Sequence, residues 1–120
     1  MSIERGERRA GTGTAVEPRH VCPDFHGAVE LIGRRWTGAV LYALADAGPL
    51  RFAELTDCVP GMSDRLLSAR LKELESEGLV RREVQGGPGV RVSYELTPKG
   101  ESLKPVIGAL KDWAERWHPA

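Results

Sequence analysis

From Phe52 to Leu79 the chain reads FAELTDCVPGMSDRLLSARLKELESEGL, and the Pro60-Gly61 pair inside it restricts the fold more than any other feature. Proline bars the residue before it from helical geometry and glycine permits the reversal that follows, so one continuous helix is excluded. Phe52, Leu55 and Val59 predict a short helix ahead of the turn. Ser63 supplies an N-cap after it, and Leu67, Leu71 and Leu74 form the inward stripe of a second helix that Gly78 ends. Two short helices joined this tightly make a helix-turn-helix.

The flanking segments extend that motif. Val90, Val92, Tyr94 and Leu96 alternate with Arg91, Ser93 and Glu95, the pattern of a half-buried strand, and Leu79 to Val84 is expected to pair with it. Gly86-Gly87-Pro88-Gly89 makes the hairpin tip. Thr97-Pro98 caps one last helix, in which Leu103, Ile107, Leu110, Ala114 and Trp117 recur at steps of four and three. Upstream, Asp24 is the expected cap of a first helix whose Phe25, Val29, Ile32 and Trp36 mark one buried face, with Gly33 interrupting or bending it. Thr37 to Ala47, carrying Val40, Leu41 and Leu44, predicts a second core helix stopped by Gly48-Pro49. The fold class is therefore α+β: a winged helix-turn-helix, mostly helical, with a two- to three-stranded antiparallel wing. Residues 1–20, polar throughout, read as a flexible tail, and residues 21–120 as one domain.

A chain of 120 residues can bury a core without disulfide staples. Its 17 Lys and Arg equal its 17 Asp and Glu, so affinity for a polyanion must come from local charge placement. The three tryptophans, Trp36, Trp113 and Trp117, fall in segments read as helices and are expected to anchor a core or an interface. Two cysteines without CxxC spacing suit a reducing compartment, and neither a signal peptide nor a membrane span is evident, so a cytoplasmic location is expected.

A helix enters a major groove with its apolar stripe packed and its outer N-terminal side chains short or basic. Ser63, Asp64, Arg65 and Ser68 meet that requirement, with Arg65 the leading contact to a base edge or phosphate. Arg70 and Lys72 lie further along, where they are expected to reach phosphates. Asp64 counts against the face unless it favours the helix's own N-terminus or accepts from a cytosine amino group. Arg82 and Arg91 put positive charge on the wing. A plainer reading makes Arg65, Arg70 and Lys72 a solvated face partnered by Glu73, Glu75 and Glu77. His20, Cys22 and His26 fit no familiar zinc spacing, and Cys58 reads as a small core residue. No cofactor motif, catalytic triad, paired carboxylates or phosphate loop is visible, so an enzyme is not expected.

Taken together, Cys22-Pro23, Leu31-Ile32-Gly33 with Arg35-Trp36, Arg51-Phe52 with Glu54-Leu55, Pro60-Gly61-Met62-Ser63, RLKELESEGLV from Arg70 to Val80 and VSYELTPKG from Val92 to Gly100 resemble the HxlR family of winged-helix transcriptional regulators. The resemblance covers about Cys22 to Trp117. It implies a homodimer, held by the first helix and a C-terminal dimerisation helix, that inserts helix 63–77 into the major groove of a pseudo-palindromic operator in double-stranded DNA. The 84–92 wing would lie beside it, and the outcome would be repression or activation of a nearby gene. Val106, Leu110, Trp113 and Trp117 agree, making the last helix more apolar than one core face requires, and Gly108 would allow close approach; burial within a single subunit is the competing account. Cys22 falls where some members of the family carry an oxidant-sensing thiol, just ahead of a helix and near His20 and Arg19, although an inert packed cysteine is the competing account. Two further alternatives stand: a small-molecule sensor with a cavity lined by Phe25, Trp36, Tyr94 or Trp113, and a protein-interaction module that does not touch DNA.

Overall fold

The computed structural model describes residues 22–118, so the expected tail and His20 lie outside the described residues. The chain divides into two units, residues 1–34 and residues 35–120.

The described part of the first unit is α1, Pro23–Ile32. Cys22 is its N-cap and Pro23 opens the first turn, where a missing N–H costs nothing. Asp24 is therefore a first-turn residue rather than the cap, placed where a carboxylate complements the helix dipole. No residue of α1 is buried, and Phe25 and Val29 are exposed, which overturns the expected buried face. The helix stops at Ile32, four residues before Trp36.

The second unit carries the motif: α2 (Thr37–Ala47), β1 (Leu50–Arg51), α3 (Phe52–Cys58), α4 (Asp64–Ser76), β2 (Val80–Gln85), β3 (Arg91–Leu96), α5 (Pro98–Glu101) and α6 (Lys104–Trp117). Trp36 lies outside any helix, as the N-cap of α2 with φ +75°, a left-handed conformation that costs a bulky residue about 1–3 kcal/mol. The core is aliphatic: Val40, Leu41 and Leu44 of α2, Leu55 of α3, Leu67, Leu71 and Leu74 of α4, then Leu79, Val80 and Leu96. Cys58, expected in that core, is exposed at the end of α3.

The sheet has the order β1-β3-β2, with all pairs antiparallel. β2 and β3 pair from Val80 opposite Leu96 out to Gln85 opposite Arg91, which puts Val90 in the hairpin tip rather than in the strand. β1 adds two residues, Leu50 opposite Tyr94 and Arg51 opposite Ser93, and so roots the hairpin beside α3. The expected single last helix is two. Thr97 Oγ1 accepts from the Gly100 amide at 3.1 Å to start α5, but Pro105 cannot donate to the carbonyl of Glu101, so the chain breaks and restarts as α6. α5 sits close against the start of β2: a Cβ on Gly100 would lie 2.2 Å from the carbonyl oxygen of Leu79, so only glycine fits.

Candidate nucleic-acid interface

The helix-turn-helix is built by local chemistry at each joint. The Glu54 carboxylate accepts from the Arg51 amide at 2.8 Å and closes the start of α3. Gly61, at φ +93°, makes the reversal in a conformation that costs other residues dearly. Ser63 then caps α4, its hydroxyl accepting from the Leu66 amide at 3.1 Å.

At about 100° per residue, the α4 stripe of Leu67, Leu71 and Leu74 defines an inward direction, and all three are at most 1% exposed. Arg65 and Lys72 fall roughly 130–155° away from it, and both are exposed. Ser68 is half-buried at the flank, and Asp64 is exposed at the first turn. Ala69 also lies on the outward side and is exposed; sequence reasoning passed over it, yet a small side chain between Arg65 and Lys72 lets a helix seat deeply and offers a methyl to a thymine methyl.

Arg70, expected to reach phosphates, is placed differently from Arg65 and Lys72. It falls only about 60° from the leucine stripe, and its side chain is 19% exposed. Its Nε donates to the carbonyl of Arg35 at 2.9 Å, and its Nη1 donates to both carboxylate oxygens of Glu73 at 3.2 and 3.1 Å. Local acidic partnering thus holds for Arg70, whereas Arg65 and Lys72 make no ion pair among the described residues.

On the hairpin, the register sorts the cations by face. Arg82 shares a face with Val80, Val84 and its cross-strand neighbour Tyr94, while Arg91 shares the other with Arg81, Glu83 and Glu95. Both are exposed and neither is ion-paired among the described residues, so the wing carries positive charge on two sides. Arg81 is different. It bonds to Glu95 and approaches Glu83 at 3.7 Å, and the hydrogen bond and charge of Glu95 raise its pKa.

The helices beyond the wing expose a different chemistry. Leu103, the N-cap of α6, and Ile107 and Ala114 within it are half-buried, whereas Val106, Leu110, Trp113 and Trp117 form a separate exposed stripe. The recurrence read as one face is therefore two adjacent faces. A cavity of about 320 Å³ lies at the root of the hairpin, lined by Leu44, Gly48, Pro49, Arg81, Glu95, Leu96, Pro98 and Glu101. None of Phe25, Trp36, Tyr94 or Trp113 lines it. Among the described residues no cluster of three or more His, Cys, Asp or Glu could hold a metal, and no helix is long and apolar enough to cross a membrane.

Residues 31–120 match the model of the HxlR-like helix-turn-helix family. The HTH-type transcriptional regulator YvaP of Bacillus subtilis is 42% identical over 97 residues, which cover 81% of this chain and 89% of that one. YodB of the same organism, also an HTH-type transcriptional regulator, is 40% identical over 97 residues, covering 81% and 86%. Among solved structures, the reduced form of YodB superposes with a TM-score of 0.73 at 39% identity, covering 83% of this chain and 97% of that one. The redox regulator HypR in its oxidised form gives 0.75 at 34% identity, covering 82% and 100%. With three-quarters of its length inside the family match and relatives of this identity, the chain belongs to the HxlR-like helix-turn-helix family and is a DNA-binding transcriptional regulator.

Proposed function

We propose that α4 is the groove-reading helix of a homodimer, that Arg65, Ala69 and Lys72 face the DNA with Ser63, Asp64 and Ser68 at the near end, and that Arg82 and Arg91 of the wing engage the flanking backbone or minor groove. The observation that carries this reading is the placement of charge. In a chain with as many acids as bases, Arg65, Lys72, Arg82 and Arg91 are exposed and without ion partners among the described residues. Each phosphate so neutralised releases condensed counterion and adds sequence-independent affinity. The dimer is supported by the exposed stripe on α6, where fully burying each large side chain against a second copy contributes roughly 1.5–3 kcal/mol.

The test is selection of a binding sequence from a randomised duplex library, followed by footprinting. Two protected half-sites, about 10–10.5 base pairs apart or a multiple of that, are expected from a two-fold dimer. Failure to enrich any sequence at low salt would instead favour a protein-interaction module.

A second reading, response to oxidants through Cys22, is favoured by one feature: the thiol is free, exposed and placed at the N-cap of α1. HypR is described as a redox regulator, and YodB has been solved in diamide-treated and quinone-bound forms. Oxidant is expected to change the DNA affinity of the native protein and to leave Cys22→Ser unaffected; identical responses would remove this reading.

A further inference from the structure

We propose that Arg70 is a positioning residue for DNA reading: it sets the orientation of α4 through the Arg35–Trp36 peptide and makes no contact with DNA. This rests on the reading of α4 as the groove-reading helix. The guanidinium is split between two tasks. Nε donates to the Arg35 carbonyl at 2.9 Å, which reaches back 35 residues, while Nη1 grips Glu73 one turn further along α4.

What the bond to Arg35 restrains is specific. Rotation about φ of Trp36 swings the preceding carbonyl, and Trp36 is the one non-glycine among the described residues with positive φ, at +75°. Holding that carbonyl therefore holds Trp36 in a conformation it would otherwise leave. Two more contacts converge on the same residue. The Arg35 guanidinium lies over the indole, 5.5 Å from its centroid, and the indole edge sits 3.6 Å from where a Cβ on Gly61 would be, against the turn between α3 and α4. Trp36 is also the N-cap of α2, its carbonyl accepting from the Val40 amide at 3.1 Å. One residue thus touches the start of α2 and the helix-turn-helix turn, and Arg70 ties it to the middle of α4. A bond at the flank of α4, four residues before Leu74 and five after Arg65, fixes how the helix is rolled and tilted on the start of α2.

Lysine at position 70 distinguishes the roles, because it keeps the charge that a phosphate needs but has no fork to serve a carbonyl and a carboxylate together. The measurement uses the full-length protein, the duplex that the native protein selects from a random library, and poly(dI·dC) as the non-specific probe. Arg70→Lys is expected to lose about tenfold in the ratio of specific to non-specific affinity, the scale of one misplaced base contact. Its affinity for poly(dI·dC), and the salt dependence there, should match the native protein. Arg70→Gln should do the same, whereas loss of a phosphate contact would lower the salt slope by about 0.9 on both probes. A role in stability alone would lower the melting temperature and leave the specificity ratio intact. Glu73→Gln keeps Arg70 and loosens one anchor, so a smaller loss of the same ratio is expected; it decides the matter if Arg70→Lys does not fold at the assay temperature. An unchanged ratio in folded Arg70→Lys, or in Glu73→Gln when Arg70→Lys is unfolded, overturns the inference while leaving α4 as the reading helix. A native protein that selects no sequence overturns both.

Discussion

α4 and α6 are both amphipathic helices of about the same length, yet they resolve their outward faces in opposite ways. On α4 the inward leucines are sealed and the outward side is Arg65, Ala69 and Lys72, groups at ease in water or against phosphate. On α6 nothing is fully buried, and the outward stripe of Val106, Leu110, Trp113 and Trp117 is more than half exposed, with Trp117 at 65%. Water satisfies the first surface and penalises the second. The lesson is that amphipathicity alone does not separate a helix suited to a charged partner from one suited to an apolar partner; the chemistry of the second face does.

The strongest way to break that contrast is to give α6 the outward chemistry of α4. Leu110→Glu with Trp113→Glu puts two charges in the exposed stripe, where a second copy would have to desolvate them. Sedimentation should report monomers, and affinity for a two-half-site duplex should fall on the order of 100-fold as the two contacts cease to be linked. Affinity for a single half-site should hardly change. A variant that remains dimeric would show that the stripe is not the interface.

Gly100→Ala tests how α6 is anchored. The methyl would lie 2.2 Å from the Leu79 carbonyl oxygen and 3.1 Å from Leu96 Cδ2, backbone on one side and core on the other, so α5 must move outward and carry the start of α6 with it. A loss of about 1–3 kcal/mol in denaturant unfolding is expected, the usual cost of overpacking. The matching change on α4, Arg65→Ala, should leave stability within about 0.5 kcal/mol because the side chain is exposed and without an ion pair among the described residues. It should weaken operator binding about tenfold if Arg65 meets a base edge, and lower the salt slope by about 0.9 if it meets a phosphate.

Much of the helix-turn-helix was legible because its signals are local. Pro60-Gly61, Ser63 and the leucine spacing each act within a few residues, and α2, α3 and α4 formed where those signals put them. The misreadings share a cause of another kind. A period of three and four identifies an apolar face without saying what covers it: Phe25 and Val29 recur like core residues yet are exposed, and the recurrence from Leu103 to Trp117 runs across a half-buried face and an exposed one. Trp36 fits the spacing of α1, but Gly33 is already the C-cap of that helix, its amide making the last i→i−4 bond to the Val29 carbonyl at 2.7 Å. The break before α6 has its local signal in Pro105, which opens the first turn of that helix. Arg70 could have been separated from Arg65 and Lys72 by helical arithmetic, since it alone flanks the leucine stripe; its bond to Arg35, spanning 35 residues, has no local signal at all.

The smallest expected effect is the most direct test of the contrast between satisfied and unsatisfied surfaces, because it removes one hydroxyl at each of two helix starts. Ser63 Oγ accepts from the Leu66 amide at the exposed start of α4, so Ser63→Ala should cost about 1 kcal/mol, the usual value of an N-cap. Thr37 begins α2 at 1% exposure, and its Oγ1 has no hydrogen-bond partner among the described residues. A buried hydroxyl in that state carries its desolvation penalty with no compensating bond, so Thr37→Val, which keeps the branched shape, should stabilise the protein by about 1 kcal/mol. Two deletions of the same chemical group should therefore move the denaturation midpoint in opposite directions. Thr37→Val that instead destabilises as much as Ser63→Ala would mean that the hydroxyl is paired in solution, and that the start of α2, beside the left-handed Trp36, is held by a bond as the start of α4 is.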